Sequence, residues 1–371
     1  MDNRMKTVSK NKYQALHRQF LDIVKKEIKA GRYKPSELIP SERKLVKQYK
    51  ISRSTIRRAI SQLVSEGWLY SVPGTGTFVS AAAARQEKEN KPKSRNISCV
   101  LKAAHSPLDS PYYSKIFRSM QDEVARLGYY LSFYYFTEES KANLINIIRE
   151  KRLDGLIMIG TMKKDIILDV YKNKIPFVLV DNYLDKKGVT AIMPDNRKGA
   201  FEAADYLIKM GHRKIYFFGA DADDPVVIER FNGYKDTLEK AGIPYKNYYF
   251  VKTNYQVMGG YRSMEGVLKS GKLPTAILAI NDEAAIGAMK AIKEKGKLNV
   301  PRDISIIGFD DIDWAVHAEP PLTTVRLPKE EMGSLAVSFL IKQIEDEKFS
   351  GVKIVIPTEL VIRSSCSKPK D

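Results

Sequence analysis

A helix with a strongly basic outer surface is predicted where the chain reads SRSTIRRAISQLVS, residues 52–65. Ser52 is a favourable N-cap, and apolar residues recurring every three to four positions would bury one stripe of the helix. This stripe consists of Ile56, Ile60, Leu63 and Val64. The outer faces carry Arg53, Ser54, Arg57, Arg58 and Ser61. Because guanidinium groups pair with guanine edges and a helix fits the major groove, this pattern predicts contact with DNA.

Two flanking elements would position this helix. A shorter helix is predicted to begin at Ser41, whose hydroxyl can cap it, with Glu42 in the first turn, where the helix dipole favours an anion. Two strands, 68–72 and 77–79, follow and are joined by Pro-Gly-Thr-Gly, which is typical of a β-hairpin. This glycine-rich turn leads into a strand and not into a helix, so a phosphate-binding loop is excluded. Residues 36–80 are therefore predicted to form a winged helix-turn-helix.

A second group of polar residues lies where the strands of the remaining chain are predicted to end. From residue 97 onward, short β-rich runs alternate with amphipathic stretches, which predicts an α/β fold with parallel sheets. Ligands bind such sheets beyond the carboxyl ends of the strands. The residues expected there are Asp181, Asn182, Asn281, Asp282, Glu283, Asp310 and Asp311, with His105, Asp109, Tyr112 and Tyr113 after the first strand. Carboxylates, amides and aromatic faces suit a ligand rich in hydroxyl groups.

Two alternatives apply to these residues. Each acidic residue could simply cap the helix that follows its strand, and we expect this of Asp282 above all. The residues could also belong to an enzyme, but the chain lacks metalloprotease, serine-hydrolase and nucleotide-loop motifs. Asp310 and Asp311 are adjacent, and adjacent residues rarely face one substrate. His212 leads into a strand and is interpreted as structural. We therefore expect no enzymatic activity.

The positive charge of the chain is concentrated at its start. Of the net +18, residues 1–80 hold 17 Lys and Arg against 6 Asp and Glu, and residues 81–96 hold 5 against 2. Residues 97–371 hold 40 against 36 and are nearly neutral. Such a distribution indicates a polyanionic partner for the first quarter of the chain. A membrane surface is disfavoured because the apolar residues of the basic helices are committed to packing.

The remaining composition places the protein in a reducing compartment. Cys99 and Cys366 form neither a disulfide framework nor a metal-ligand pattern. No apolar run approaches the roughly 18 residues needed to span a membrane, and the first residues lack the apolar stretch of a secretion signal. We expect a cytoplasmic protein without a cofactor or metal. Residues 81–96 are charged and without apolar periodicity, so they are predicted to be a linker, with a connecting helix as the alternative.

The N-terminal segment resembles the DNA-binding domain of the GntR family of bacterial transcription regulators. The strings that carry this resemblance are PSERKL, ISRSTIRRAISQL and GTGTFV, in the expected order and spacing. The resemblance implies DNA contacts by Arg43, Arg53, Ser54, Thr55, Arg57 and Gly74, with the glycine approaching the minor groove. One departure is His17, which stands where the family usually has a tyrosine.

Residues 97 to about 365 resemble the effector domain of the LacI/GalR family. The matching strings include KRLDGLIMIG, IPFVLVDN, ERFNGY, PTAILAINDEAAIGAMKAI and VPRDISIIGFDDI. This resemblance implies a periplasmic-binding-protein-like domain, in which two α/β subdomains joined by three crossovers clamp a small molecule. Asp181, Arg230, Asn281 and Asp310 are the ligand contacts that it implies, alongside His105, Tyr112 and Tyr113.

The combination of the two parts is similar to the arabinose repressor group. It implies a domain order of DNA-binding domain 1–80, linker 81–96 and effector and dimerisation domain 97–371. A homodimer of this kind would read a pseudo-palindromic operator in double-stranded DNA. L-arabinose or another small sugar would be the effector, and it would lower the operator affinity. A non-sugar metabolite as effector remains the alternative.

Overall fold

The chain divides into two compact units between Lys93 and Ser94. A computed structural model describes residues 16–29, 31–72, 74–80, 94–102, 110–136, 144–160, 162–221, 223–346 and 348–370. The predicted site residue His105, together with Asp109 and residues 81–93 of the predicted linker, lies outside the described residues. Ser94 and Arg95 donate backbone hydrogen bonds to the Asp154 carboxylate. The last three residues assigned to the linker therefore belong to the larger unit.

In its described residues, the smaller unit is a winged domain with three helices. Its elements are α1 Leu16–Lys29, α2 Glu42–Tyr49, α3 Arg53–Ser65, β1 Leu69–Val72 and β2 Gly76–Val79. The strands pair antiparallel, with Leu69 opposite Val79 and Val72 opposite Gly76, which confirms the wing. The predicted stripe of α3 is buried at Ile56, Ile60 and Leu63 and packs in one cluster with α1 and α2. This packing leaves the basic faces of α3 in solvent.

Helices α2 and α3 of the smaller unit differ in how their N-termini are capped. The Ser52 hydroxyl accepts a hydrogen bond from the Thr55 amide at 3.2 Å, as the sequence predicts. Ser41 stands at the N-cap of α2, but its side chain makes no capping hydrogen bond, so that prediction is wrong. Glu42 lies in the first turn of α2, as predicted, and its carboxylate is also bound by arginines of α3.

The larger unit contains two subdomains, each built around a six-stranded sheet. In subdomain 1 the strand order is β13-β7-β6-β5-β3-β4, and every described pairing is parallel. The strands are β3 Asn96–Lys102, β4 Tyr130–Phe136, β5 Gly155–Ile159, β6 Phe177–Val180, β7 Thr190–Pro194 and β13 Lys353–Ile356. The helices are α4 Pro111–Leu127, α5 Leu144–Glu150, α6 Lys164–Lys172 and α12 Lys329–Glu345. Every residue of β5, β6 and β7 is buried, as strands covered on both faces require.

Subdomain 2 repeats this plan with the order β14-β12-β11-β10-β8-β9. Its strands are β8 Ile215–Gly219, β9 Phe250–Lys252, β10 Ala276–Ala279, β11 Ser305–Asp310, β12 Thr323–Arg326 and β14 Glu359–Val361. Its helices are α7 Asn196–Lys209, α8 Pro225–Lys240, α9 Val257–Ser270, α10 Asp282–Glu294 and the short α11 Asp313–His317. Only the edge strand β14 runs antiparallel among the described pairings of this sheet.

The chain passes between the subdomains three times, in agreement with the implied fold. It crosses after β7 at Asp195, whose carboxylate caps α7. It crosses again between β12 and α12, and a third time between β13 and β14. The carboxyl ends of β6 and β11 consequently meet across a cleft between the two sheets.

Candidate functional site

The exposed face of α3 carries the expected DNA-contacting side chains. The Arg53 and Arg57 side chains are 70% and 61% exposed. Both are oriented by Glu42, whose carboxylate accepts from Arg53 Nε at 3.0 Å and from Arg57 Nε at 3.1 Å. These two hydrogen bonds lower the pKa of Glu42, that of Arg57 being the stronger. The guanidinium groups are thus held side by side at the N-terminal end of the helix.

Four further predicted contacts lie on the same unit as this arginine pair. The Ser52 hydroxyl lies 2.9 Å from the Ser54 hydroxyl and 2.7 Å from that of Thr55, so it orders both. Arg43 is exposed on α2. Gly74 lies in the wing turn with φ +78°, and a Cβ added there would meet no atom within 4 Å. The structure places all six predicted residues on the smaller unit, with Gly74 free to approach a partner closely.

Arg230 is the centre of a buried polar group in the larger unit. It lies on α8 and is 3% exposed. Its Nε donates to Asn196 Oδ1 at 2.8 Å, and a terminal nitrogen donates to the Ile280 carbonyl. The other terminal nitrogen lies 3.5 Å from the Asp310 carboxylate. The guanidinium carbon lies 3.7 Å from the ring centroid of Phe309. Contacts on every side fix this cation at the end of β11.

The two adjacent aspartates after β11 face different partners. The Asp310 carboxylate faces Arg230, whereas the Asp311 carboxylate accepts from Arg326 at 2.8 Å and from Arg363 at 2.6 Å. Burial raises the pKa of Asp310 to about 7, although Arg230 and Lys329 act to lower it. The pair therefore cannot act on one substrate, as the sequence predicts.

Asp181 faces this group from subdomain 1. It follows β6, and its Oδ2 accepts a hydrogen bond from the Tyr112 hydroxyl at 2.5 Å. Its Oδ1 is buried without a hydrogen-bond partner among the described residues. Burial raises the pKa of Asp181 to about 6, against the lowering by Tyr112 and Arg230. An orphan carboxylate oxygen of this kind is suited to accept a hydrogen bond from a ligand hydroxyl.

The two consecutive tyrosines of α4 form the aromatic side of the cleft. The Tyr112 and Tyr113 rings pack edge to face, 5.0 Å apart. A Cβ at Gly160 would lie 2.7 Å from the Tyr113 hydroxyl, so only glycine leaves room for this tyrosine. Burial raises the pKa of Tyr113, and the carboxylates of Asp181 and Asp224 add to the effect. The structure thus brings Tyr112, Tyr113, Asp181, Arg230 and Asp310 together.

The helix that follows β10 is capped by Asn281 and not, as the sequence suggests, by Asp282. Asn281 is the N-cap of α10, accepting from the Ala284 amide at 2.9 Å while its Nδ2 donates to the Tyr255 carbonyl. Asp282, expected to be the cap, instead accepts from the Ile312 amide and from the Thr324 hydroxyl. The capping prediction for Asp282 is therefore wrong. Its carboxylate joins the Asp310 turn to the next strand.

Sequence reasoning missed three polar residues of the cleft. Asn196 binds Arg230 through Oδ1, while its buried Nδ2 has no partner among the described residues. Tyr255 donates to Asp224 Oδ2 at 2.7 Å, and Asp224 Oδ1 caps α8. Asn196 follows β7 in the string PDN, so the strand-end rule would have found it had that strand been recognised. Tyr255 follows a three-residue edge strand, which leaves too short a pattern to detect.

Other features lie apart from the cleft. His212 is 1% exposed, and its Nε2 lies 2.9 Å from the Ser367 carbonyl, at the opposite end of β11 from Asp310. Among the described residues there is no group of three or more metal-ligating side chains that could hold an ion. No helix in the described ranges is long and apolar enough to cross a membrane.

Known proteins resemble both units. Residues 16–79 match the gntR family of bacterial regulatory proteins, and residues 204–366 match the periplasmic binding protein-like domain. The chain is 31% identical over 350 residues to the arabinose metabolism transcriptional repressor of Geobacillus stearothermophilus, covering 91% of this chain and 93% of that one. The repressor of the same description from Halalkalibacterium halodurans is 27% identical over 363 residues, covering 94% and 95%. These two relatives are repressors and not enzymes.

A solved structure extends the likeness to the fold of the larger unit. A LacI transcriptional regulator from Bacillus cereus subsp. cytotoxis NVH 391-98 aligns with a TM-score of 0.71 at 28% identity. The alignment covers 74% of this chain and 99% of that one. This share is about the size of the larger unit, and the match confirms the two-subdomain, periplasmic-binding-protein-like fold.

Proposed function

Because this chain belongs to the family of bacterial transcriptional repressors that join a gntR-type DNA-binding domain to a periplasmic binding protein-like domain, we propose that a small sugar controls its repression. One observation carries this proposal. Between the subdomains, two buried polar atoms, Asp181 Oδ1 and Asn196 Nδ2, have no hydrogen-bond partner among the described residues. Buried polar groups without partners are costly, so these atoms are prepared for a ligand that supplies hydroxyl groups.

The proposed DNA contacts are those of the smaller unit. Arg53 and Arg57 would enter the major groove, where a guanidinium can bind a guanine edge through two hydrogen bonds. Arg43, Ser54 and Thr55 would bind phosphates or bases near them. Gly74 would lead the wing into the minor groove, since nothing restricts approach at its α-carbon.

The proposed effector site has donors and acceptors on both subdomains. Asp181 and Asp310 would accept hydrogen bonds from ligand hydroxyl groups, and Asn196 would donate one through Nδ2. Arg230 would be held in place beside them by its four contacts. Tyr112 and Tyr113 would pack against the C–H surface of a sugar ring. Asn281 would act from its position at the start of α10, and His105 from the segment after β3.

Within the sugars, we propose L-arabinose. Two relatives that align with more than nine-tenths of this chain are repressors of arabinose metabolism. A pentopyranose carries four hydroxyl groups and no charge, and such a ligand matches the mixed donors and acceptors of the cleft. A non-sugar metabolite with several hydroxyl groups would use the same atoms.

Closure of the cleft would be the link between sugar and DNA. Except for the partly buried Tyr113, the described contacting residues are 2–8% exposed, so a ligand would enter when the subdomains separate and would then be enclosed by both. In a homodimer, a change in the angle between the two subdomains would alter the spacing of the two DNA-binding domains on a pseudo-palindromic operator. Coupling of about 1–3 kcal/mol, roughly a 5- to 150-fold change in affinity, is usual for such systems.

A ligand screen tests the sugar assignment. Thermal unfolding of the full chain would be followed with L-arabinose, other pentoses, hexoses and their phosphates. A ligand at 100 times its Kd stabilises the folded state by ~2.7 kcal/mol. We expect stabilisation by L-arabinose that is lost in Asp181→Asn, while a charge-matched surface variant, Asp185→Asn, keeps it. Stabilisation by another sugar or metabolite alone would overturn the arabinose assignment.

A further inference from the structure

Lys329 is a buried cation at the second crossover between the subdomains. It is the first residue of α12, directly after β12 and the Leu327-Pro328 segment, and is 2% exposed. A buried ammonium is strongly unfavourable unless its hydrogen bonds are satisfied. Burial of the Lys329 ammonium therefore costs folding free energy that a neutral side chain would not cost. The contacts of Lys329 should explain why a lysine stands at this position.

All of its hydrogen bonds go to backbone carbonyls. Lys329 Nζ donates to the Asp310 carbonyl, to the Asp311 carbonyl at 3.3 Å and to the Leu327 carbonyl at 3.5 Å. In the part of the chain that the structure describes, this ammonium forms no ion pair with a carboxylate. Its role is therefore to hold the main chain of the turn that follows β11.

That turn has an unfavourable backbone conformation. Asp310 and Asp311 have φ of +110° and +53°, so two consecutive residues with side chains lie in the region that favours glycine. Residues with side chains are uncommon in this conformation and persist where surrounding contacts enforce it. The conformation turns the Asp310 carboxylate into the cleft and the Asp311 carboxylate towards Arg326. A turn with a different backbone conformation would no longer direct the two carboxylates to different partners.

We propose that Lys329 is a positioning residue for the effector site, which fixes the Asp310 carboxylate in the cleft by binding the carbonyls of the turn. This inference rests on the proposed function, since it treats the cleft as the effector site. Lys329 does not itself touch the ligand. It acts through the main chain, from a helix that belongs to the opposite subdomain.

Lys329 also connects the turn after β11 to helix α12 of the opposite subdomain. Helix α12 packs closely on α4, because a Cβ added at Gly333 would lie 2.4 Å from the Ile116 carbonyl. Movement of the Asp310 turn on ligand binding would therefore be passed to α12 and then to α4. Loss of Lys329 should weaken both the sugar affinity and the sugar's effect on DNA affinity.

The test compares Lys329→Met, which keeps the length of the side chain, with Lys329→Arg, which keeps the charge. Calorimetric titration of the full chain with L-arabinose should show at least a tenfold loss of affinity for the Met variant and a partial recovery for the Arg variant. Lys342→Met, at the other end of α12, is the matched control and should bind like the unmodified chain. If Lys329→Met does not fold, Lys329→Gln carries the same comparison.

A double variant separates positioning from general stability. If Lys329 acts through Asp310, Lys329→Met should change the sugar affinity by less than twofold in an Asp310→Asn background. An equal loss in both backgrounds would overturn the inference.

Hydrogen exchange of the sugar-free chain gives a readout that needs no ligand. The Ile312 amide, which donates to Asp282 Oδ2 at 2.9 Å, should exchange at least tenfold faster in Lys329→Met. Unchanged exchange would refute the positioning role, whatever the effector is. Absence of L-arabinose binding by the unmodified chain would instead contradict the proposed sugar.

Discussion

Replacement of Arg230 by methionine should destabilise the larger unit mainly through the charge it leaves behind. Arg230 and Asp310 side chains are 4% and 7% exposed, so the pair is buried. Removing one partner of a buried pair costs about 3–5 kcal/mol, whereas replacing both partners is often nearly neutral. We therefore expect Arg230→Met to lower the free energy of unfolding by about 3–5 kcal/mol at pH 8. The double variant Arg230→Met with Asp310→Asn should regain most of that loss.

The pH dependence of this effect has a definite sign. Burial already raises the pKa of Asp310 to about 7, and loss of Arg230 removes the strongest opposing influence. A carboxyl whose pKa is raised by folding contributes stability below its unfolded pKa, near 4, and loses it as pH rises through the folded value. The destabilisation by Arg230→Met should consequently be smaller at pH 5.5 than at pH 8.

Urea unfolding followed by far-ultraviolet circular dichroism measures both effects, since the larger unit dominates the signal. The double variant should remain unable to bind the sugar even where its stability has recovered. If the double variant is as unstable as Arg230→Met, or if the loss does not grow with pH, the unpaired Asp310 is not the cause and the reasoning fails.

Three further changes test other parts of the account. Arg57→Gln should weaken binding to the operator sequence by about 1–3 kcal/mol, because one guanidinium–guanine contact is lost, whereas Lys209→Gln should leave the affinity unchanged. An unchanged affinity in Arg57→Gln would remove Arg57 from the interface. Lys115 Nζ lies 2.7 Å from Asp313 Oδ1, and this ion pair joins the two subdomains. Lys115→Glu replaces the attraction by repulsion and should weaken sugar binding up to about fivefold. The double variant Lys115→Glu with Asp313→Lys restores an ion pair and should restore the sugar affinity. Gly74→Val places a β-branched residue at φ +78° and should impair DNA binding, while the sugar affinity measured by calorimetry stays normal. Unchanged DNA binding would exclude the wing from the DNA interface.

Local sequence patterns predict the elements of this fold well. The period of Ile56, Ile60 and Leu63 and the alternation of buried strands with helices depend on neighbours in the chain, and the structure confirms both. Ser52 caps α3 as predicted, but Ser41, with the same residue type at the same kind of position, makes no capping bond. Residue type thus permits a cap, and the orientation of the side chain decides whether it forms.

The composition of the cleft depends on contacts that no local pattern contains. Asp282 looks like a cap but binds Thr324, 42 residues away along the chain. Lys329 is drawn into the interior by carbonyls of a turn that precedes it by 18 and 19 residues. Glu42 orients Arg53 and Arg57 from a different helix. The family resemblance supplied Arg230, and Asp310 followed from its position after a predicted strand, whereas Asn196 was missed because β7 was not recognised as a strand.

The control of DNA binding by the cleft is tested most directly with DNA that the full chain selects from a random pool. Its affinity for the selected sequence would be measured by fluorescence anisotropy with and without saturating L-arabinose. We predict a pseudo-palindromic sequence whose affinity falls 5- to 150-fold with sugar, and an Asp310→Asn variant that binds the DNA equally but needs at least tenfold more sugar for the same response. Sequence-specific binding that is the same with and without the sugar, or an unchanged sugar dependence in Asp310→Asn, would contradict this prediction.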